Sequence, residues 1–213
     1  MAKRQKFKKT IVGIDEVGRG PIAGPVTVCS LVLKPSFYRR GFLKGKKFKD
    51  SKKLSHSERI VWLEKINLEK QKGKLDYKVC FESNKIIDTK GLTLAINRAL
   101  EKSLKSLKLD PKDTTVLLDG GLKAPALFKN QKTIIKGDEK ELAIALASIV
   151  AKETRDDFMI KLDKKYPGYG LSKHKGYGTT SHYQALKKLG ISPIHRQLFL
   201  RRFKALDKKG KIG

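Results

Sequence analysis

The stretch TIVGIDEVGRGPIAGPVTVCSLVL, residues 10–33, decides the fold, because it sets two β-branched apolar runs on either side of a turn rich in glycine and proline. The runs Thr10–Ile14 and Val26–Leu33 are typical of buried strands, and the turn Gly18–Pro25 between them predicts a hairpin-like pair. Asp15 and Glu16 stand where the first strand is expected to end. Two adjacent acidic residues therefore interrupt a segment that otherwise has the composition of a protein core.

Strands and helices alternate through the rest of the chain, as changes in apolar periodicity indicate. Ser55 and Glu58 have the spacing of a capping box, so a helix is expected to begin at Ser55 and to run to about Gln71. Further strands are predicted over Leu75–Phe81, Thr114–Leu118 and Lys132–Ile135, and further helices over Leu92–Leu107, Glu139–Lys165, Ser181–Leu189 and Pro193–Ala205. Three early strands followed by strands mixed with helices predict an α/β fold, a mixed sheet flanked by helices. In such sheets a site is expected where strand ends meet glycine-rich turns.

The chain is strongly basic. Its 213 residues, enough for one α/β domain, include 49 Lys and Arg against 21 Asp and Glu, which gives a formal net charge of +28. So large a positive field favours polyanionic partners and suits nucleic acid better than a small neutral substrate. The alternative is a lysine-biased genome, in which the same side chains merely solvate the surface. The basic residues cluster in the first ten residues, in Arg39–Lys53 and in Arg196–Lys211.

The cysteines and the apolar runs bear on location. Cys29 and Cys80 lie in apolar segments without CxxC spacing, which favours buried thiols in a reducing compartment over a disulfide or a zinc site. The basic start MAKRQKFKK is not followed by the apolar stretch and cleavage site of a signal peptide, and no apolar run has the length of a membrane span. A cytoplasmic protein with no membrane partner is therefore expected.

Four acidic residues stand at strand ends, each with a glycine close by: Asp15 and Glu16 after the first strand, Asp119 at the end of TTVLLD, and Asp138 after TIIKG. Without a cation between them, converging carboxylates repel one another and any phosphate. Hard oxygen ligands of this kind suit Mg²⁺ or Mn²⁺, and two such ions can clamp the attacking and leaving oxygens of a phosphodiester. A single strand-end Asp can instead form a turn or cap a helix. For Asp138, which precedes a predicted helix, the N-cap interpretation stays open.

These residues fall in motifs that resemble those of the ribonuclease HII family. IVGIDEVGRGPIAGPV (Ile11–Val26) is similar to the family's opening motif, and the others follow in family order: DSKKLS (Asp50–Ser55), LLDGG (Leu117–Gly121), KGDEK (Lys136–Lys140), ASIVAKETRD (Ala147–Asp156), YPGYG (Tyr166–Gly170), HKGYGT (His174–Thr179) and IHR (Ile194–Arg196). The resemblance spans about Lys9–Phe203. It implies a ribonuclease H-like fold with a C-terminal helical extension. We place this catalytic domain at residues 9–206, between a basic N-terminal arm (1–8) and a disordered basic tail (207–213).

The resemblance implies a metal-dependent endoribonuclease, a ribonuclease H. Its expected substrates are RNA–DNA hybrids, in which it cuts the RNA strand, and duplex DNA with embedded ribonucleotides, which it incises on their 5′ side. The products would carry 5′-phosphate and 3′-hydroxyl ends. Catalysis and the binding of two divalent ions, Mg²⁺ or Mn²⁺, are assigned to Asp15, Glu16, Asp119 and Asp138.

The resemblance also assigns residues to the substrate. Gly18, Arg19 and Gly20 match the segment whose backbone reads the ribose 2′-hydroxyl, and glycines allow the main chain to come that close. Tyr177 matches the tyrosine that packs on the sugar 3′ of the ribonucleotide. Phosphates of the DNA strand would be bound by Ser51, Lys52, Lys53 and Lys175.

Each of these assignments has a plainer alternative. Gly18–Gly24 can be an ordinary turn, Tyr177 an ordinary loop aromatic, and any single lysine a solvated surface charge. For the whole chain, the competing hypothesis is a basic nucleic-acid-binding module in which the acids are structural, although such a module would have little reason to keep all four. A P-loop nucleotide hydrolase is excluded, because the chain has no GxxxxGK[ST] motif. The enzyme is expected to act as a monomer.

Overall fold

The structure, a computed structural model, describes residues 10–35, 37, 54–201, 203 and 205. Within these residues the sheet consists of β1 (Thr10–Val17), β2 (Val26–Leu33), β3 (Leu75–Glu82), β4 (Thr114–Asp119) and β5 (Gln131–Ile134). The helices there are α1 (His56–Gln71), α2 (Asn84–Lys90), α3 (Leu92–Lys105), α4 (Gly137–Lys140), α5 (Leu142–Lys165), α6 (Leu171–His174) and α7 (Thr180–Leu189).

The sheet is mixed, with the strand order β3-β2-β1-β4-β5. β1 pairs antiparallel with β2, and β2 with β3, whereas β1 pairs parallel with β4, and β4 with β5. The predicted hairpin-like pair and mixed sheet are therefore confirmed. The register sets Ile14 opposite Leu118, so the parallel strands β1 and β4 deliver their terminal carboxylates to the same edge of the sheet.

Helices cover both faces of the sheet. On one face, Val12 and Ile14 of β1 share a core cluster with Leu100 and its neighbours on α3. On the other face, Leu31 of β2 packs in a cluster with residues of α1 and α5, among them Ile66. β2 is consequently buried at all eight of its positions, as expected for a strand that is covered on both sides.

Helix α5 lies directly against β1 at Gly13. A Cβ added there would lie 2.0 Å from the carbonyl carbon of Ala143 and 2.3 Å from the amide nitrogen of Ile144. Only a glycine admits the helix backbone at this distance. The same helix carries Ser148 to the carboxylate of Asp15, with which the serine side chain forms a hydrogen bond.

The prediction for α1 is confirmed in detail. Ser55 is the N-cap, its side chain accepts from the amide of Glu58, and the Glu58 carboxylate accepts from the amide of Ser55. The prediction of one long helix over Glu139–Lys165 is wrong, because Glu141 is extended, with φ −123° and ψ 118°, and separates α4 from α5. Within the described residues, no helix is both long and apolar enough to span a membrane.

The predicted helix Pro193–Ala205 is also wrong in its first part, since residues 193–200 form turns and an isolated bridge between Ala23 and His195. Their backbone groups bond to other segments instead: the amide of Arg196, for example, donates to the carbonyl of Ile22. The basic arm, the basic tail and the whole basic stretch Arg39–Lys53 lie outside the described residues, so the division into arm, domain and tail stays a prediction.

Candidate active site

The carboxylates of β1 and β4 face a cavity of about 410 Å³. The turn after β1 lines the same cavity, and so does the loop before α7. Of the residues that the sequence singled out, the cavity brings together Asp15, Glu16, Asp119, Gly18, Arg19, Gly20 and Tyr177. Groups more than 150 positions apart in the chain thus meet at the sheet edge where the strand ends predicted a site.

Burial governs the electrostatics of the two acids on β1. Asp15 is only 5% exposed, and desolvation together with the charges of Glu16 and Asp119 raises its pKa to about 8, although Ser148 hydrogen-bonds to it. Desolvation also raises the pKa of Glu16, against the effect of Arg19, whose Nη1 donates to Glu16 Oε1 at 2.9 Å. Desolvation therefore disfavours the ionised form of both acids, and for Glu16 it outweighs the ion pair with Arg19.

The donor set fits a hard divalent cation. Glu16 Oε2 is buried and has no hydrogen-bond partner among the described residues. A cation at this point would give that oxygen a partner and favour ionisation of Asp15. No group of three Asp, Glu, His or Cys side chains in the described part of the chain forms a ready-made ion site. An ion would thus complete its coordination with water or substrate oxygens, as Mg²⁺ commonly does.

Asp119 is oriented by the backbone of α4. The amide of Gly137 donates to Asp119 Oδ1 at 2.7 Å. Asp138, the next residue, is 1% exposed and does not line the cavity. The N-cap interpretation of Asp138 is wrong, because Lys136 is the N-cap of α4 and Glu141 that of α5. Asp138 is instead a buried acid that directly follows the glycine holding Asp119.

Two buried arginines hold the turn between β1 and β2 by its carbonyl oxygens. Arg155 binds the carbonyls of Ala23 and Pro25. Arg196 binds the carbonyls of Gly18, Arg19 and Gly24. A Cβ added to Gly18, which has φ +90°, would lie 2.3 Å from Arg155 Nε. Sequence reasoning placed both arginines in motifs without giving them a role. The residues next to Arg155 are Thr154 and Asp156, and those next to Arg196 are His195 and Gln197, so the local sequence gave no signal that either side chain is buried.

Three histidines pack beneath the loop that carries Tyr177. His182 Nδ1 lies 2.9 Å from the Tyr177 carbonyl oxygen, so this nitrogen bears the proton and donates. His182 Nε2 then accepts from His195 Nε2 at 3.1 Å, and His195 Nδ1 accepts from the amide of Ser192 at 3.1 Å. The ring of His174 stacks on His182 with 4.2 Å between centroids.

These hydrogen bonds require neutral rings. Desolvation lowers the pKa of His182 to about 4 and lowers the pKa of His195 as well. The chain of bonds ends on the backbone of Tyr177, whose side chain is 44% exposed beside the turn. A Cβ added to Gly20 would lie 3.5 Å from Tyr177 Cε1. The histidines therefore fix the backbone of Tyr177 beside the turn.

Two basic residues that the sequence did not single out also line the cavity. Arg59 on α1 forms an ion pair with Glu153, and Lys152 on α5 forms one with Asp156, at 2.5 Å between Nζ and Oδ2. Both positions lie inside predicted helices, where a charge is normally solvated, so their local sequence gave no signal.

None of the predicted phosphate-binding residues is seen to line the cavity in the described part of the chain. Lys175 does not line the cavity, and its Nζ donates to the carbonyl of Ser172. Ser51, Lys52 and Lys53 lie outside the described residues. Their assignment to the DNA strand stays a prediction.

A mixed sheet with carboxylates at the adjacent ends of two parallel strands defines the chain as a ribonuclease H-like hydrolase. The Ribonuclease HII family model matches residues 12–204, and the chain belongs to the ribonuclease HII family. Ribonuclease HII of Clostridioides difficile (strain 630) is 42% identical over 191 residues, which cover 90% of this chain and 70% of that protein. Ribonuclease HII of Endomicrobium trichonymphae is 43% identical over 89% of this chain and 84% of that protein.

Solved structures agree on the fold. The crystal structure of ribonuclease H2 from Pyrococcus horikoshii OT3 matches with a TM-score of 0.69 and 25% identity, and the match covers 96% of this chain and all of that one. The predicted α/β class, a ribonuclease H-like mixed sheet flanked by helices, is confirmed.

Proposed function

We propose that this ribonuclease H hydrolyses the RNA strand of RNA–DNA hybrids and incises duplex DNA on the 5′ side of embedded ribonucleotides. The observation that carries the proposal is the shared cavity. Acids suited to metal-assisted phosphodiester hydrolysis lie in the same space as the backbone of Gly18–Gly20 and the ring of Tyr177. A binding module with structural acids would have no need to desolvate Asp15 beside a substrate groove.

Asp15, Glu16 and Asp119 would hold two divalent ions, Mg²⁺ or Mn²⁺, with Asp138 as the fourth acid. When bound, such ions activate water and stabilise the departing 3′ oxygen, which leaves 5′-phosphate and 3′-hydroxyl ends. The protein contributes the positions of the carboxylates. Ser148 and the amide of Gly137 fix two of them through the hydrogen bonds described above.

Substrate choice would depend on the turn and the loop together. The backbone of Gly18, Arg19 and Gly20 would bind the 2′-hydroxyl, and Tyr177 would pack on the following sugar. A ribose at that following position would place a hydroxyl against the ring face, where its desolvation is poorly compensated. One ribonucleotide followed by deoxyribose would therefore be sufficient for cleavage.

The proposed function also includes contacts with the DNA strand, the oligomeric state and the cellular compartment. Ser51, Lys52, Lys53 and Lys175 would bind phosphates of the DNA strand, and the enzyme would act as a cytoplasmic monomer. The two free cysteines, Cys29 and Cys80, are compatible with a reducing compartment.

The test compares three labelled substrates with Mg²⁺ or Mn²⁺ present: a duplex with a single ribonucleotide, the all-DNA duplex and a continuous RNA–DNA hybrid. We expect cleavage of the first and third, with the first cut once on the 5′ side of the ribonucleotide. The Tyr177→Ala variant should lose more activity on the single ribonucleotide than on the hybrid, because the enzyme can bind a continuous hybrid in many registers. Tyr177→Phe is the matched control that keeps the ring. Binding without metal-dependent cleavage of any substrate would favour the binding module. Cleavage of the hybrid alone would refute the roles of Gly18–Gly20 and Tyr177.

A further inference from the structure

Arg196 is a fully buried cation whose partners are backbone carbonyls. Its side chain has no exposed surface, and no carboxylate of the described residues forms an ion pair with it. Nε donates to the carbonyl of Gly24 at 2.9 Å, Nη1 to that of Arg19 at 2.9 Å and Nη2 to that of Gly18 at 2.6 Å. The guanidinium therefore uses the donors along its planar fork to fix three points of the turn.

These bonds determine where two amide groups point. In a trans peptide the N–H is directed opposite to the C=O of the same plane, and the described residues contain no cis peptide bond. Because Arg196 holds the carbonyls of Gly18 and Arg19 from the interior, the N–H groups of Arg19 and Gly20 are directed away from it. Neither N–H donates to any other group in the described part of the chain. Both residues line the cavity that holds the carboxylates.

The segment that carries Arg196 is itself tied down on two sides. Towards the turn, the amide of Arg196 donates to the carbonyl of Ile22 at 2.8 Å. Towards α2, Asn84 Nδ2 donates to the carbonyls of Pro193 and His195 at 2.9 Å and 3.1 Å. The guanidinium thus has a fixed base from which to hold the turn.

We propose that Arg196 is a positioning residue for ribose recognition, which orients the amides of Arg19 and Gly20 so that they donate to the 2′-hydroxyl. The proposal rests on the ribose-reading role of the turn given above. It adds that the discrimination between ribose and deoxyribose depends on a side chain that never touches the substrate. A turn without this support would keep its sequence but would hold its amides in a wider range of directions, and each hydroxyl bond would weaken.

Arg155 provides a matched control within the same turn. It too is fully buried, but it donates to the carbonyls of Pro25 at 3.0 Å, Lys175 at 3.1 Å and Ala23 at 3.4 Å. None of these peptide planes contains the amide of Arg19 or Gly20. Replacement of either arginine by lysine keeps the charge and removes the fork, so the two variants differ mainly in which peptide planes are released.

The experiment measures the ratio of affinities for a single-ribonucleotide duplex and the matching all-DNA duplex, with Ca²⁺ in place of the catalytic metal. Arg196→Lys should lower this ratio about tenfold, the value of one or two hydrogen bonds, and should leave affinity for the all-DNA duplex unchanged. Arg155→Lys should keep the ratio within about twofold of the wild type. Circular dichroism checks that both variants are folded.

A second variant covers the case in which Arg196→Lys does not fold. Asn84→Ala loosens the Arg196 segment from outside the cavity and should lower the same ratio by about twofold to threefold. The proposal is overturned if Arg196→Lys leaves the affinity ratio unchanged. If Arg196→Lys does not fold, an unchanged ratio in Asn84→Ala overturns it instead. A fall of the ratio in Arg155→Lys as large as that in Arg196→Lys overturns it as well. If the wild type itself fails to prefer the ribonucleotide duplex, the ribose-reading role of the turn is wrong and the role of Arg196 falls with it. The wild-type measurement therefore tells the two failures apart.

Discussion

Acidification should destabilise the protein through His182. This side chain has no exposed surface, and both ring nitrogens are already used: Nδ1 donates to Tyr177 and Nε2 accepts from His195. The titratable groups that face it are His174 and His195, and neither can stabilise a proton on it. Burial accordingly lowers its pKa from 6.5 to about 4.

The direction and size of the change in unfolding free energy follow from the number of protons that the folded and unfolded chains bind at His182. Between pH 6.5 and about 4 the unfolded chain binds a proton at this histidine, whereas the folded chain does not. The stabilisation by neutral His182 is therefore fully present above pH 6.5 and is lost as the pH falls towards 4. A change from pH 7 to pH 5 should cost about 2 kcal/mol of unfolding free energy from this group alone. The lowered pKa of His195 acts in the same direction.

The assay is urea unfolding of the wild type and His182→Asn at both pH values. Asparagine can still donate to the carbonyl of Tyr177 but does not titrate, so the difference between the two proteins isolates the histidine. The subtraction also removes Asp15, whose raised pKa gives a contribution of the opposite sign. We expect the wild type to lose about 2 kcal/mol more than the variant. Equal losses would refute the reasoning.

Three further predictions concern the site, the packing and the charge. Asp119→Asn should lower cleavage on the order of a thousandfold, because one metal ligand is weakened, while hybrid affinity stays equal or rises as a repulsive charge is lost; wild-type turnover would contradict the metal assignment. Gly13→Ala should cost about 3 kcal/mol in urea unfolding, because its Cβ would meet the backbone of α5, whereas Gly121→Ala, which has nothing within 4 Å, should be nearly neutral. Hybrid affinity should fall linearly on a log–log plot against salt, by about 0.9 per phosphate contacted, and deletion of the basic arm should flatten that slope without moving the cut site. An unchanged slope would leave the arm without a phosphate contact.

The sequence predicted the elements whose signals are local. β2 and the capping box of α1 agree with the structure because periodicity and Ser55–Glu58 spacing act within a few residues. Residues 193–200 were assigned wrongly because their partners are distant. The carboxylate of Asp88, for instance, accepts from the amides of Gln197 and Leu198, each at 2.9 Å. The periodicity of apolar residues within a segment does not indicate hydrogen bonds to residues more than 100 positions away.

The residues of the site likewise fall into those that the sequence predicted and those that it did not. The acids were predictable because a charged residue at the end of an apolar strand is conspicuous and because the motifs resemble a known family. Arg196 was not, because its partners are carbonyl groups, which every sequence possesses at every position. Its function exists only once the turn has been folded around it, so pattern analysis could place the arginine in a motif but not say what it holds.

The close approach of α5 to β1 at Gly13 also shapes the electrostatics of the site. Gly13 and Asp15 are two positions apart on β1 and so face the same side of the sheet, towards α5. The missing side chain at Gly13 lets α5 approach, and that approach brings Ser148 to Asp15 and removes the carboxylate from water. Any substitution that pushes α5 outward would hydrate Asp15 and lower its pKa. Stability and the charge state of the site are therefore coupled through one glycine, and neither can be changed at this position without the other.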